Sequence, residues 1–301
     1  MVSEKFPATE FRKCNIQDKS QLLPNLAYLI KVKFKNIKCK YINNFISQSK
    51  CISIYKGRYD NGRVISAEEI EIVVTDIDFK LIDETYTYES YEFLEVYWSI
   101  YKYLPEKFIN FILDKYENKT KFKNVVGKEL EYQLEKQKFN SLYGMCVTNN
   151  IRDEVIFDNE TGWSERTLTN EEIEKMLGYE KKKGFLSFAW GVWVTAYARY
   201  NLISNLIKLD KKVIYADTDS LKIKEGFDEN VIKDYNKKVI EKLKKVSHEL
   251  GINVKRFAPQ DKDGKRHILG IFENETKEGR KFTYDEFITQ GAKKYAYKID
   301  R

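Results

Sequence analysis

The stretch "FLSFAWGVWVTAYARYNLISNLIKL", Phe185 to Leu209, constrains the fold more than any other part of the chain. Its apolar residues run nearly all the way round a helix, so no broad face can be left in water and the segment has to be enclosed on several sides. The surrounding sequence offers strands and helices to do this. "YLIKVKFKNIKCK" (Tyr28 to Lys40) sets Val32 and Phe34 between Lys31, Lys33 and Lys35, the period-2 pattern of a half-exposed strand with a basic outer face. A solvated edge strand is expected there, because edge lysines also block strand-to-strand aggregation. "EEIEIVVTDIDFKLI" (Glu68 to Ile82) reads as a second strand followed by a turn.

Pro105 opens a helical stretch with Phe108, Phe111, Ile112 and Tyr116 at helical spacing, expected to break around "ENKTKFKN". The second arm of this helix hairpin runs from about Val125 to Tyr143. At 100° per residue, Lys128, Tyr132, Lys136, Asn140 and Tyr143 share an arc of about 120°, with Leu130 and Leu134 opposite. One face should pack and the other present two ammoniums, an amide and two phenols. Residues 147–184 are polar and turn-rich, a β-loop-like excursion. "DENVIKDYNKKVIEKLKKVSHELG" places Val231, Tyr235, Val239, Leu243, Val246 and Leu250 on one stripe and ends at Gly251, a C-cap glycine. In the tail, "RHILGIFENE", "KFTYDEFITQ" and "GAKKYAY" read as short strands. The class is α+β, and the 42% apolar residues of a 301-residue chain suffice for its core.

Composition narrows the partners less than the motifs do. Lysine and arginine exceed aspartate and glutamate by 53 − 46 = 7, compatible with a polyanionic partner and also ordinary for a lysine-rich protein. The four cysteines show no CxxC spacing, which speaks against zinc and for reduced thiols. No run reaches the ~18 apolar residues of a membrane span, and "MVSEKFPATEF" has no signal-peptide core. A cytoplasmic protein with no membrane partner is expected.

"IYADTDSLKI", Ile214 to Ile223, sets two carboxylates one residue apart between strand-forming stretches. Their repulsion is costly unless positive charge sits between them. A strand turn presenting Asp217 and Asp219 can bind a pair of Mg²⁺ ions that activate an attacking oxygen and stabilise a leaving one. Taken alone the DxD also suits a sugar-nucleotide transferase. An EF-hand is excluded, since the next alternate position is Leu221 and no loop glycine follows.

Joined to "KQKFNSLYG" (Lys136 to Gly144), "YADTDS" resembles motif C, YxDTDS, and the former motif B, KxxxNSxYG, of family B DNA polymerases, in the right order. "WVTAYARYNL" and the layout from "IEIVVTDIDFKLID" onward resemble the protein-primed phage branch, and "GAKKYAY" resembles its KxY motif. The resemblance runs from Phe6 to Tyr297. It implies a right-hand polymerase core: an antiparallel palm sheet carrying the aspartates, backed by helices, with helical fingers. The expected division is an N-terminal palm portion over 1–104, a fingers hairpin over 105–146, the β-loop-like insertion over 147–184, and palm with motif C and the KxY-like motif over 185–301.

The same resemblance implies residue roles. Asp217 and Asp219 are the catalytic metal ligands, Asp217 the stronger, for two Mg²⁺ ions with Mn²⁺ as a substitute. Lys136 neutralises the incoming dNTP triphosphate, Asn140 and Tyr143 shape the nucleotide pocket, and Lys128 shares their helix face. Lys293 and Tyr295 grip the primer end, and Ser141 and Gly144 lie at the primer-template DNA. A terminal protein is a further expected partner, as primer. Motif A of the family reads DxxSLYP; aligning "MVSEKFPA" sets Phe6 at the tyrosine that excludes ribonucleotides, Glu4 at the serine and Met1 at the metal-binding aspartate. The expectation is thus a palm-and-fingers portion without exonuclease or thumb, weak or inactive alone, and completed by an upstream polypeptide carrying the exonuclease and the aspartate. The rival readings are a non-catalytic primer-template-binding remnant and the sugar-nucleotide transferase, against which the lysine-bearing helix argues.

Overall fold

The structure is a computed structural model that describes residues 1–42, 44–148, 151–183, 187–274, 276–277, 280–281, 283–291 and 293–299. Its first third is an antiparallel sheet of eight strands, β1 (Lys5–Pro7), β2 (Arg12–Cys14), β3 (Leu26–Cys39), β4 (Cys51–Tyr55), β5 (Arg58–Asp60), β6 (Arg63–Thr75), β7 (Tyr86–Thr87) and β8 (Ser90–Tyr103). The main order is β1-β8-β3-β6-β4, with β2 on β8, β5 on β6 and β7 on β3.

β3 is therefore central, which corrects the edge-strand expectation. Its lysines are neutralised by the neighbouring strand: Lys31 meets Glu71 at 2.9 Å and Lys33 meets Glu69 at 3.1 Å. The complementary charges lay in "EEIEIVV", and cross-strand pairing of opposite charge makes an interior position tolerable. The other face of β3 carries Tyr28, Ile30, Val32 and Phe34, all fully buried against Ile70, Ile72, Phe79 and Phe93.

The expected turn after β6 is instead a helix, α1 (Asp76–Thr85). Thr75 caps it, its Oγ1 accepting from the Asp78 amide at 3.1 Å while donating to Asp78 Oδ2 at 3.0 Å. Asp78, buried, is then paired by Arg199 through two bonds of 2.9 and 2.8 Å.

The helix hairpin consists of α2 (Glu106–Phe122) and α3 (Glu129–Cys146). α2 runs on through "ENKTKF", past the expected break, with the Thr120 hydroxyl bonded back to the Tyr116 carbonyl at 2.8 Å. The chain turns where Asn124 and Gly127 adopt φ of 57° and 75°. Leu130 and Leu134 are 70% and 44% exposed, so the expected packing face of α3 is in solvent. α3 is held by Leu142, Cys146 and the buried Glu135, which takes Lys115 and Lys138 at 3.0 Å each.

Between 147 and 184 stand a hairpin, β9 (Glu154–Asp158) with β10 (Gly162–Arg166), and a helix, α4 (Asn170–Lys183); Asn149, Asn150 and Gly184 lie outside the described residues. α5 (Phe188–Leu209) follows, enclosed by α1, α3, α6 (Glu229–Leu250) and β1 rather than lying flat beneath a sheet. The second core gathers Phe6, Leu104, Leu113, Leu142, Trp193 and Val246 around it. Among the described residues β11 (Val213–Asp217) and β12 (Ser220–Ile223) pair only with each other, so the two aspartates ride on a hairpin and not on the large sheet. The tail forms β13 (Thr276–Lys277) with β14 (Arg280–Lys281), and β15 (Glu286–Gly291) with β16 (Lys294–Lys298). The described part of "RHILGIFENE" holds an isolated bridge from Gln260 to Arg266 and no strand, and Glu275 lies outside the described residues. None of the four cysteines forms a disulfide, and no helix among the described residues is long and apolar enough to cross a membrane.

Two packing features carry predictions. Asp76 accepts from the Tyr28 amide at 3.1 Å and from the Tyr101 hydroxyl at 2.8 Å, and Trp193 Nε1 donates to that same hydroxyl at 2.6 Å. Burial pushes the Asp76 carboxyl up to about 6, above its ordinary value of about 3.9. The folded state therefore favours the protonated acid, and the stability this contributes is full below pH ~4 and lost as pH rises through ~6. Asp76→Asn should gain on the wild type by about 2–3 kcal/mol between pH 4 and pH 7 in urea titrations; parallel pH profiles would refute the assignment. Gly191 lies where a Cβ would stand 2.2 Å from Val147 Cγ1, a stiff side chain at the end of α3. Gly191→Ala gains about 1 kcal/mol of helix propensity but meets an overpacking cost of about 1–3 kcal/mol. A net loss of about 1 kcal/mol in unfolding free energy is expected, and a stabilised variant would show that α3 and α5 separate freely.

Candidate active site

β11 and β12 pair Asp217 opposite Ser220, which leaves Thr218 and Asp219 as the whole turn. Thr218 takes φ of 51°, a left-handed conformation costing a β-branched residue about 1–3 kcal/mol. The Asp219 amide closes the turn by donating to the Asp217 carbonyl at 2.6 Å. Thr218 Oγ1 donates to Asp217 Oδ1 at 3.0 Å, and the Tyr215 hydroxyl lies 3.5 Å from Oδ2. Among the described residues no salt bridge reaches either carboxylate, so the pair's repulsion is not relieved by a direct ionic partner. Asp217 is half-buried and Asp219 exposed, and hard oxygen donors of this kind fit a divalent cation such as Mg²⁺. They are two in number: among the described residues no group of three or more His, Cys, Asp or Glu side chains forms a metal cluster.

Positive charge reaches them from the helix hairpin. On α3, Lys136 Nζ stands 5.7 Å from the Tyr132 ring centre, the helix face expected from the spacing. On α2, Lys119 Nζ rests 5.0 Å from the ring of Phe139 and 5.8 Å from that of Tyr116. Burial first, then Lys136 and Lys123, lowers the pKa of Lys119, while attraction to Asp219 opposes the shift. Lys136, Lys123 and Asp219 thus each lie within electrostatic reach of Lys119. Sequence reasoning missed Lys119 because it fell in the supposed helix break; the continuing helical spacing from Tyr116 was the available signal.

The tail hairpin supplies the third wall. Its turn residue Lys293 has φ of 60°, and its amide donates to the Tyr215 hydroxyl at 2.8 Å. The Tyr295 ring lies 5.3 Å from that of Tyr215 and stacks on Phe287, also at 5.3 Å. The KxY-like turn and the aspartate strand, nearly eighty residues apart in sequence, are therefore in contact.

Other expected residues are placed differently. Lys128 sits at the N-cap of α3, paired with Glu131 at 2.6 Å and about 12 Å along the axis from Lys136. Phe6 is 1% exposed, packed edge-on against Tyr197 at 5.8 Å, with no open face. Asn140 and Tyr143 stand exposed on α3, and Ser141 turns its hydroxyl to the Lys138 carbonyl at 3.0 Å. Gly144 faces open space where a Cβ would be. Glu4 is engaged by Lys242 of α6.

Compared with models of protein families, the chain matches none. It is 27% identical over 169 residues to the DNA polymerase of Bacillus phage B103, covering 56% of this chain and 27% of that protein. It is 28% identical over 189 residues to the DNA polymerase of Bacillus phage PZA, covering 61% and 30%. The chain thus spans under a third of the length of these curated relatives. The phi29 DNA polymerase bound to primer-template DNA shares its fold with a TM-score of 0.57 at 21% identity, over 77% of this chain and 37% of that one. The ternary complex of the same polymerase, with primer-template DNA and incoming nucleotide, gives 0.52 at 22% identity over 76% and 37%. By sequence and by fold, the chain is a relative of the phi29-type phage DNA polymerases and corresponds to a portion of them.

Proposed function

We propose that the chain forms the palm and fingers of a template-directed DNA polymerase, adding deoxynucleotides to a primer 3′-hydroxyl with release of pyrophosphate. The observation that carries this reading is the meeting of sequence-distant parts: an aspartate turn that no salt bridge reaches among the described residues, the KxY-like turn bonded to the strand that bears it, and a helix hairpin whose Lys119 lies within electrostatic reach of Asp219. That arrangement suits phosphoryl transfer, in which positioning and charge stabilisation do most of the catalytic work.

In this reading Asp217 and Asp219 would hold Mg²⁺, with Mn²⁺ as a substitute, and the bound ions would supply charge stabilisation at the reacting phosphate. Lys136 and Lys119 bind the triphosphate and orient it, their ammoniums held against aromatic rings that limit their wandering. Asn140 and Tyr143 flank the nucleotide on the same helix. Lys293 and Tyr295 hold the primer end. Ser141 and Gly144 lie along the DNA, where a side chain at 144 would intrude. Phe6 acts from within the core by backing the floor of the pocket. Lys128 remains a proposed outer contact, one its pair with Glu131 would have to release.

Met1 falls where the resemblance puts the motif A aspartate, and a thioether is a poor ligand for a hard cation. Glu4 is already engaged by Lys242. An upstream polypeptide carrying a third carboxylate and the exonuclease, and a terminal protein as primer, are the proposed partners. A second reading, a primer-template-binding remnant without catalysis, is favoured by one observation: two carboxylates stand without a third among the described residues.

Primer extension with dNTPs and Mg²⁺, by the chain alone and supplemented with the upstream segment, separates the two. Asp217→Asn and Asp219→Asn should each lower incorporation by about a thousandfold, about 4 kcal/mol, while primer-template affinity stays within about twofold. Wild-type rates in both variants would exclude the metal assignment, and DNA binding with no extension under any supplementation would establish the remnant. Gly144→Ala should stabilise α3 by about 1 kcal/mol and yet weaken primer-template binding. Thermal unfolding and a DNA titration measure the two effects, and tighter or equal binding would remove Gly144 from the DNA surface.

A further inference from the structure

We infer that Tyr215 is a positioning residue, fixing the primer-gripping turn to the catalytic carboxylate through its hydroxyl; the functional half of this inference rests on the polymerase reading. Strand period two puts Tyr215 and Asp217 on the same face of β11. The Tyr215 hydroxyl accepts the backbone amide of Lys293 at 2.8 Å and lies 3.5 Å from Asp217 Oδ2. One oxygen thus touches both the turn of the tail hairpin and the metal-binding side chain.

Within the hairpin the turn is closed by the Thr289 hydroxyl, which lies 3.3 Å from the Gly291 and Lys294 carbonyls and accepts the Gly291 amide at 3.2 Å; the Tyr215 bond is what links that turn to the aspartate strand. Lys293 is left-handed at φ of 60°, a conformation a lysine adopts at a cost unless its surroundings impose it. The register of β15 and β16 is irregular just before it, between Thr289 and Gly291. Among the described residues β15 and β16 pair with each other and with no other strand. The tail meets the aspartate hairpin through the Tyr215 hydroxyl, through its ring, 5.3 Å from Tyr295 and 6.0 Å from Phe287, and through Lys222 of β12, whose Nζ lies 5.0 Å from the Tyr284 ring centre. The rings give contact without a fixed distance; the hydrogen bond sets the distance. Since Lys293 and Tyr295 are two residues apart on the same hairpin, the hydroxyl sets where both stand relative to Asp217.

Tyr215→Phe removes the hydroxyl and keeps the ring. In the full chain, hydrogen exchange at the Lys293 amide should speed by about fivefold, as for the loss of one hydrogen bond, with the amides of β3 and β6 unchanged. Affinity for a recessed primer 3′ end should fall by about fivefold, while affinity for single-stranded template and for dNTP holds. Asp217→Asn should leave the Lys293 amide protected, since the acceptor is the phenol. Unchanged exchange in Tyr215→Phe, or equal deprotection in Asp217→Asn, would overturn the tether. Faster exchange with an unaltered preference for primer ends would overturn the positioning role. A wild-type chain indifferent to primer ends would refute the polymerase reading, and the exchange measurement would still decide the tether.

Discussion

The fold depends on how α5 satisfies the polar tips of a helix that is otherwise apolar. Trp190 Nε1 donates to the Pro7 carbonyl at 3.1 Å, and the Tyr197 hydroxyl donates to the Lys5 carbonyl at 2.8 Å. Trp193 reaches Asp76 through Tyr101, and Arg199 closes on Asp78. These bonds join β1, β8 and the start of α1 to one rod. A buried polar group without a partner costs about 1–3 kcal/mol, so each bond also selects the depth and rotation at which the helix can lie. α5 in turn meets the end of α3 at Gly191 and leads directly into β11, so the same rod places both the lysine-bearing helix and the aspartate turn.

Much of this was legible in the sequence, and the failures have physical causes. The stripe on α6 and its end at Gly251, left-handed at φ of 64°, are as the pattern has them. The aspartate hairpin and the lysine face of α3 likewise follow from local spacing. β3 was misplaced because a row of lysines looks the same whether water or glutamates neutralise it; only the pairing with β6 distinguishes them. α1 was missed although Thr75-Asp76-Ile77-Asp78 carries a cap, because the strand pattern before it set the expectation. Leu130 and Leu134 were given to a core that α3 does not have on that side. Lys119 was hidden by the supposed helix break despite the continuing helical spacing, whereas the role of Tyr215 depends on tertiary contact and left little trace in local pattern.

Charge at the proposed site is arranged in opposition. Two carboxylates share a turn without an ionic partner, and across from them lysines crowd one another until burial and mutual repulsion disfavour the charge on Lys119. Each side is electrostatically uncomfortable alone. A divalent cation relieves the first and a polyphosphate the second, so the two ligands that a nucleotidyl transfer requires would each bind to a surface prepared by its own kind of repulsion.

The bond from Tyr197 to Lys5 spans 192 residues, and its consequence concerns synthesis on the ribosome. At about 5–20 residues per second, the carbonyls of β1 wait roughly 10–40 s after translation before their partners on α5 exist. During that interval β1, β3, β6 and β8 can already pair, while Phe6 and its neighbours in the second core still lack Trp193, Leu243 and Val246. The nascent chain therefore passes through a stage with a finished sheet and a bare apolar flank, the kind of surface that holding chaperones cover.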